Sequence, residues 1–182
     1  CLFKNNWAEG SCGAIGLAGK DANNLSEATF SNVNFIENHC MIDGGAMVIG
    51  RFSRTKFEKC CWEDNYAEQK TGGAILLLGK GSFPTIAEFY DSVFLRNHCC
   101  VDGGAINANI YTQSNFDRCR FEENIAQGKN GGAVVLLGKE GNFPSKASFR
   151  NVEFKKNTCK ISGGAINAND YTRSLFFECV FD

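Results

Sequence analysis

A Gly-Gly-Ala unit returns six times along the 182 residues, once in degenerate form, with its Ala at positions 14, 46, 74, 105, 133 and 165. The steps between copies are 32, 28, 31, 28 and 32 residues. Eight or nine residues before each Ala stands the Asn of a Phe-x-x-Asn motif: Phe3/Asn6, Phe35/Asn38, Phe94/Asn97, Phe121/Asn124 and Phe154/Asn157, with Trp62/Asn65 as the sixth. A second spacing, Phe-x-x-x-x-Phe, joins Phe30 to Phe35, Phe89 to Phe94 and Phe149 to Phe154. Each period thus holds three short strand candidates between turns and no helical periodicity. A period of this length built from strands is one coil of a β-solenoid. The fold expected is an all-β, right-handed parallel β-helix of about six coils with three strands each, one domain over residues 1–182.

Stacking at one-coil spacing, about 4.8 Å, turns repeated positions into ladders. Phe3, Phe35, Trp62, Phe94, Phe121, Phe154 and Phe181 form one; Phe30, Phe57, Phe89, Phe116, Phe149 and Phe176 form another. These ladders take twelve of the sixteen Phe and locate the core. Strand alternation offers two registers after Gly-Gly-Ala. Ile15/Leu17, Met47/Ile49, Ile75/Leu77, Ile106/Ala108, Val134/Leu136 and Ile166/Ala168 are apolar throughout, whereas the other register contains Asn107/Asn109 and Asn167/Asn169. The first must face inward, because a buried unpaired amide costs about 1–3 kcal/mol. The outward register then shows a modest apolar strip, Leu76/Leu78 and Val135/Leu137. The paired glycines fit a corner needing positive φ or close backbone approach, and the motif Asn fits a corner where its amide satisfies turn backbone and stacks on the next Asn. Coils 1, 3 and 5 carry longer excursions, "GKDANNLSEA", "GKGSFPTIAE" and "GKEGNFPSKAS", so the true unit is two coils, about 60 residues.

Ten Cys point to an oxidising, extracellular setting. Cys40, Cys99 and Cys159 share one phase and Cys60, Cys119 and Cys179 another, all in short coils; the long coils have Ala8/Val33, Ala67/Ser92 and Ala126/Val152 there. Both slots hold Cys or neither does, which predicts the disulfides Cys40–Cys60, Cys99–Cys119 and Cys159–Cys179. Stacked small apolar thiols are the other reading. Cys1 shares the phase of Cys60, and Cys12, Cys61 and Cys100 have no counterparts, so their pairing stays open.

Little in the sequence suggests chemistry. A net charge of −1 with interspersed signs names no nucleic-acid partner, and no apolar run is long enough to span a membrane. A glycosidase or lyase site needs clustered carboxylates, but Asp43 and Asp102 lie two coils apart and read as corner residues. His39 and His98 are also two coils apart, beyond one metal ion, and Gly-Lys at 19/20, 79/80 and 138/139 reads as a turn with a solvated Lys. No catalytic residue, cofactor or metal is expected. Asn24 of Asn24-Leu25-Ser26 is a candidate glycosylation acceptor in a polar excursion.

Gly72-Gly73-Ala74-Ile75, Gly103-Gly104-Ala105-Ile106 and Gly163-Gly164-Ala165-Ile166, alternating with the Phe-x-x-Asn pairs, resemble the passenger repeats of chlamydial polymorphic outer-membrane proteins and related protist surface proteins. The resemblance implies a right-handed β-helix exposed at a cell surface, often in adhesion. The chain begins at Cys1 within a repeat and ends in the same phase, as a processed or excised piece would. With no visible cap, it reads as part of a longer solenoid or a unit that stacks end to end with copies of itself. The function expected is a non-catalytic extracellular spike, stalk or filament with a lateral protein or surface-glycan partner. A carbohydrate-active β-helix enzyme or glycan-binding module is the alternative.

Overall fold

The computed structural model describes residues 1–79, 83–140 and 144–182. Lys80 of the second Gly-Lys turn and Phe143 of the third excursion lie outside the described residues. The chain winds as a parallel β-solenoid of about six coils, and no helix occurs among the described residues. Coil 2 shows the plan: strands Asn34–Ile36, His39–Cys40, Met47–Ile49 and Ser53–Glu58. Equivalent strands pair in parallel into four sheets, the first of seven strands and the others of six. Each coil therefore has four strands rather than the expected three. The additional one is two residues long, too short for alternation to reveal it, and exists because its neighbours one coil away extend it by hydrogen bonding.

The registers pair each motif with itself. Phe35 lies opposite Trp62, and Phe57 opposite Phe89. Both aromatic ladders run the length of the core as stacked rings, Trp62–Phe94 at 4.6 Å and 3° and Phe57–Phe89 at 4.9 Å and 6°. Between ladders the rings meet edge to face, as in Phe116–Phe121 at 5.5 Å and 72°. Such pairs add about 0.5–1.5 kcal/mol each beyond simple burial. The inward register after Gly-Gly-Ala is the expected one: Met47, Ile49, Ile75, Leu77, Ile106, Ala108, Val134 and Leu136 are all fully buried.

The motif asparagines form a third ladder, inside the wall. Oδ1 of Asn97 accepts from the backbone N–H and the side-chain amide of Asn65, at 3.1 and 2.9 Å. Nδ2 of Asn97 donates to the Trp62 carbonyl and to Oδ1 of Asn124, at 2.9 and 3.0 Å. Asn38, Asn65, Asn97 and Asn124 are fully buried, and every amide group is used. The residue before each ladder Asn has positive φ without being glycine: Glu37 (53°), Asp64 (53°), Arg96 (50°), Glu123 (54°) and Lys156 (50°). This backbone costs about 1–2 kcal/mol per residue, and the amides at the bend offset it by bonding the next coil, as Asp64 N–H does to the Leu95 carbonyl at 3.0 Å.

The two corner glycines have different reasons. Gly72 and Gly103 hold φ of +66° and +72°. Gly73 is hemmed in: a Cβ there would lie 2.0 Å from the Gly104 carbonyl oxygen of the next coil. The same turn shelters the outward register of its strand, since a Cβ on Gly131 would meet Cγ2 of Val135 at 2.4 Å. Leu76 and Val135 are consequently buried, which removes most of the expected exposed apolar strip; Leu78 alone of the four is exposed, at 39%. Asn107, stacked between them, is also buried at 1%, and neither its Oδ1 nor its Nδ2 has a hydrogen-bond partner. The inference that an amide at this register must stay in water is corrected by the corner that closes over it.

Substitutions at the mid-core rung should show how much the ladders contribute. Phe94→Ala is expected to lower unfolding free energy by about 3–5 kcal/mol. Asn97→Ala, which removes four buried hydrogen bonds, should cost about 3 kcal/mol or more despite its smaller volume change. Urea unfolding followed by tryptophan fluorescence checks both, and an Asn97→Ala protein as stable as the parent would show the amide ladder to be dispensable.

Candidate functional site

All ten cysteines are free thiols. Cys40 and Cys99 belong to a small cluster with Ala67 and Ala126 behind the second sheet, with Ala8 and Cys159 at its ends. Cys60 and Cys119 belong to the main core with Val33 and Val152, and Cys179 packs at its margin. The expected bridges Cys40–Cys60, Cys99–Cys119 and Cys159–Cys179 are therefore not formed: the partners sit in different clusters. The strand that carries the Phe rung runs between the two columns, since Val33, stacked below Cys60, and Cys40 flank Phe35 and Asn38 in one stretch of chain. The thiols turn to separate backbone partners. Sγ of Cys60 donates to the Phe30 and Glu58 carbonyls at 3.5 and 3.4 Å, and Sγ of Cys159 to the Ser162 carbonyl at 3.2 Å. Co-occurrence of the two slots is what a two-coil repeat imposes on any pair of its positions, so it carried no information on contact.

Burial also suppresses ionisation of the deepest thiols. It pushes Cys40 up to about 11 and Cys99 and Cys119 up to about 12, so the nucleophilic thiolate is absent at neutral pH. Cys12, Cys60 and Cys61 shift upward for the same first reason.

The two His stand on either side of Tyr66 in one half-buried stack, ring centroids 5.2 Å from His39 and 4.0 Å from His98. Nε2 of His39 is 2.8 Å from Glu68. Burial lowers the His98 pKa, against weaker opposing effects from the Arg96 backbone and Asp64. Among the described residues no group of three or more His, Cys, Asp or Glu could hold a metal ion. Asp43 and Asp102 act as corner acceptors: Oδ1 of Asp43 receives Thr71 N–H and Oγ1 at 3.1 and 2.9 Å, and Oδ1 of Asp102 receives both donors of Asn130 at 3.0 Å. Asn24 is exposed in its excursion, where its amide donates to Asp21 at 2.9 Å.

Surface charge is arranged as pairs across coils. Arg96 bridges Asp64 and Glu63, and Arg118 bridges Asp91 and Asp117. The motif Asn marks the first of these corners in the sequence, but it does not show the pairing of charges across coils. Sequence reasoning also missed relief on the fourth sheet, whose six-residue strands present three outward columns, two of which flank a channel. Glu27, Arg54, Ile86, Gln113, Lys146 and Arg173 form one. Thr29, Lys56, Glu88, Asn115, Ser148 and Leu175 form the other. Depressions lie between the columns both in coils 1–3 and in coils 4–6. The signal available in the sequence was the polar alternation of these strands, which says which side chains point outward and nothing of the channel between them.

The geometry of coil 6, an aromatic rung at Phe154, a wall amide at Asn157 and the Gly163-Gly164 corner, fits a family match. Residues 151–169 match the Chlamydia polymorphic membrane protein repeat. Phe154, Asn157 and Gly163-Gly164-Ala165-Ile166 all lie in the matched segment. The same positions recur in register in the coils below it. No curated protein and no solved structure matches the chain.

Two measurements test the site chemistry. Intact mass is expected not to change on reduction, and Cys99 and Cys119 should resist alkylation at pH 8 until the protein is unfolded. Because His98 binds its proton less readily folded than unfolded, the unfolded state takes up more protons as pH falls below the ordinary His value of 6.5. Stability should therefore drop between pH 7 and 5, and His98→Tyr, which copies Tyr66 of the coil below, should reduce that dependence in thermal melts.

Proposed function

We propose that this chain is a structural module of a cell-surface repeat protein, a segment of a spike, stalk or filament without catalytic activity of its own. The observation that carries the reading is a uniform stack whose polar and charged groups are spent on holding coil to coil: the Asn ladder, the Asp43 and Asp102 corners and the Arg96 and Arg118 bridges. An active site in a solenoid breaks the repeat with convergent acid and base groups; here the repeat positions keep their structural roles. The matched repeat type belongs to bacterial membrane proteins, which supports placement at a cell surface and, more finely, a role in adhesion.

The solenoid's two end faces also bear on its partners. The first rung leaves Leu2 and Trp7 exposed, and the last leaves Phe176, Phe177, Val180 and Phe181 exposed beside unpaired strand edges. Open edges template further strands. The fitting partners are adjoining solenoid segments or other copies of this chain, end to end, with the lateral faces left for a protein or surface glycan.

Antibody raised to this chain is expected to label intact, unpermeabilised source cells, and electron microscopy of the native material should show a rod or fibre. Labelling only after permeabilisation, or turnover of a polysaccharide by the purified chain, would overturn the proposal.

A further inference from the structure

We infer that the channel on the outer face of the fourth sheet, over coils 4–6, is a binding site for a linear anionic polysaccharide. This deepens the surface-module reading and rests on it only for biological context. The channel runs parallel to the solenoid axis, between the Gln113–Lys146–Arg173 column and the Asn115–Ser148–Leu175 column, with the strand backbone at Ser114 and Ala147 as its floor and a volume of about 400 Å³. At its flank a second depression of about 400 Å³ shares Gln113, Lys146 and Arg173 and adds Tyr111 and Tyr171.

Charge distinguishes this stretch from the rest of the surface. In coils 1–3 the same two columns set their cations beside carboxylates, Arg54 next to Glu27 and Lys56 next to Glu88 by register, whereas in coils 4–6 the two columns hold no carboxylate. Lys146, Arg150 and Arg173 are in no ion pair among the described residues, and Arg150 lies over the Phe177 ring at 5.6 Å. The nearest carboxylate by register is Asp117, opposite Arg150, and Arg118 already holds it. Two unmatched cations, Lys146 and Arg173, flank the groove, with Arg150 one column further out, and together they attract an extended polyanion.

The uncharged lining favours sugar over peptide. The side chains of Gln113, Asn115 and Ser148 lie along the groove, where amides and hydroxyls bond sugar hydroxyls in either direction. Tyr171, half exposed at the flank, presents an aromatic face for a sugar ring. An acidic peptide binds a sheet by adding a strand to its edge, and in coils 4 and 5 of this sheet both edges of each strand are taken by neighbours.

Calorimetric titration of the intact chain with a heparin oligosaccharide, an oligogalacturonate, a neutral cello-oligosaccharide and a polyglutamate peptide tests the inference. One or both anionic sugars should bind, more weakly as salt rises, and the two arms tell sulfate from carboxylate recognition. The double variant Lys146→Thr/Arg173→Thr should weaken binding by about tenfold or more. Lys56→Thr, in the same channel but in coil 2, should change it by less than about twofold. Circular dichroism should match the parent for each, and Lys146→Gln alone gives an intermediate loss if the double variant folds poorly. Failure of both anionic sugars to bind, equal binding of the neutral sugar or the peptide, or indifference to the variants would overturn the inference. A rod-shaped surface protein that binds none of them leaves the structural role standing and removes only this site.

Discussion

Every strand of this solenoid hydrogen-bonds to its own counterpart one coil away, so each side chain must coexist with a copy of its position about 4.8 Å above and below. That requirement selects what the wall and core contain. Flat rings stack face to face, which is why a Trp can enter the Phe column at position 62 with its plane within 7° of Phe35 and 3° of Phe94. A primary amide has one acceptor and two donors aligned along the stack, so the Asn column is self-satisfying where it is fully buried. Charges cannot repeat without repulsion, and at the positive-φ corners acid and base alternate where they touch, Asp64 under Arg96 and Asp91 under Arg118.

The cysteines obey the same rule through size. Each column alternates a thiol with Ala, Val or Ser, placing successive thiols two coils apart, about 10 Å, too far to bond within the column. Across the coil, the rung-bearing strand separates the two columns. Burial then leaves thiols that pack as small apolar groups. The ladders therefore hold the coils together in this structure without covalent staples.

Function is confined to what stacking leaves free. The interior and the corners are occupied by coil-to-coil bonds, and the Gly-Gly turns cover even the outward Leu76 and Val135. What remains are the broad lateral sheets. Among the lateral sheets, the fourth has the longest strands and the unmatched Lys146, Arg150 and Arg173. Length along the axis and a repeated outward grid are what a lateral ligand of extended form would read.

The solenoid, both aromatic ladders, the Asn ladder and the inward register could all be read from the repeat, because stacking converts sequence period directly into contact. Phe94 had to meet Trp62 and Phe121 once the period was known. Other features depend on the cross-section of a coil, which a period does not describe. How the chain bends at Glu37 or Arg96, where no glycine signals it, decides that a fourth strand forms, that Cys40 and Cys60 face different clusters, and that the turn before Ala105 closes over Asn107. The sequence alone determined what lies above and below each residue, since that neighbour is one repeat away in the chain. Only the tertiary structure decided what lies beside it, since lateral neighbours are set by corner dihedrals, and there the thiol clusters and the cationic channel arise.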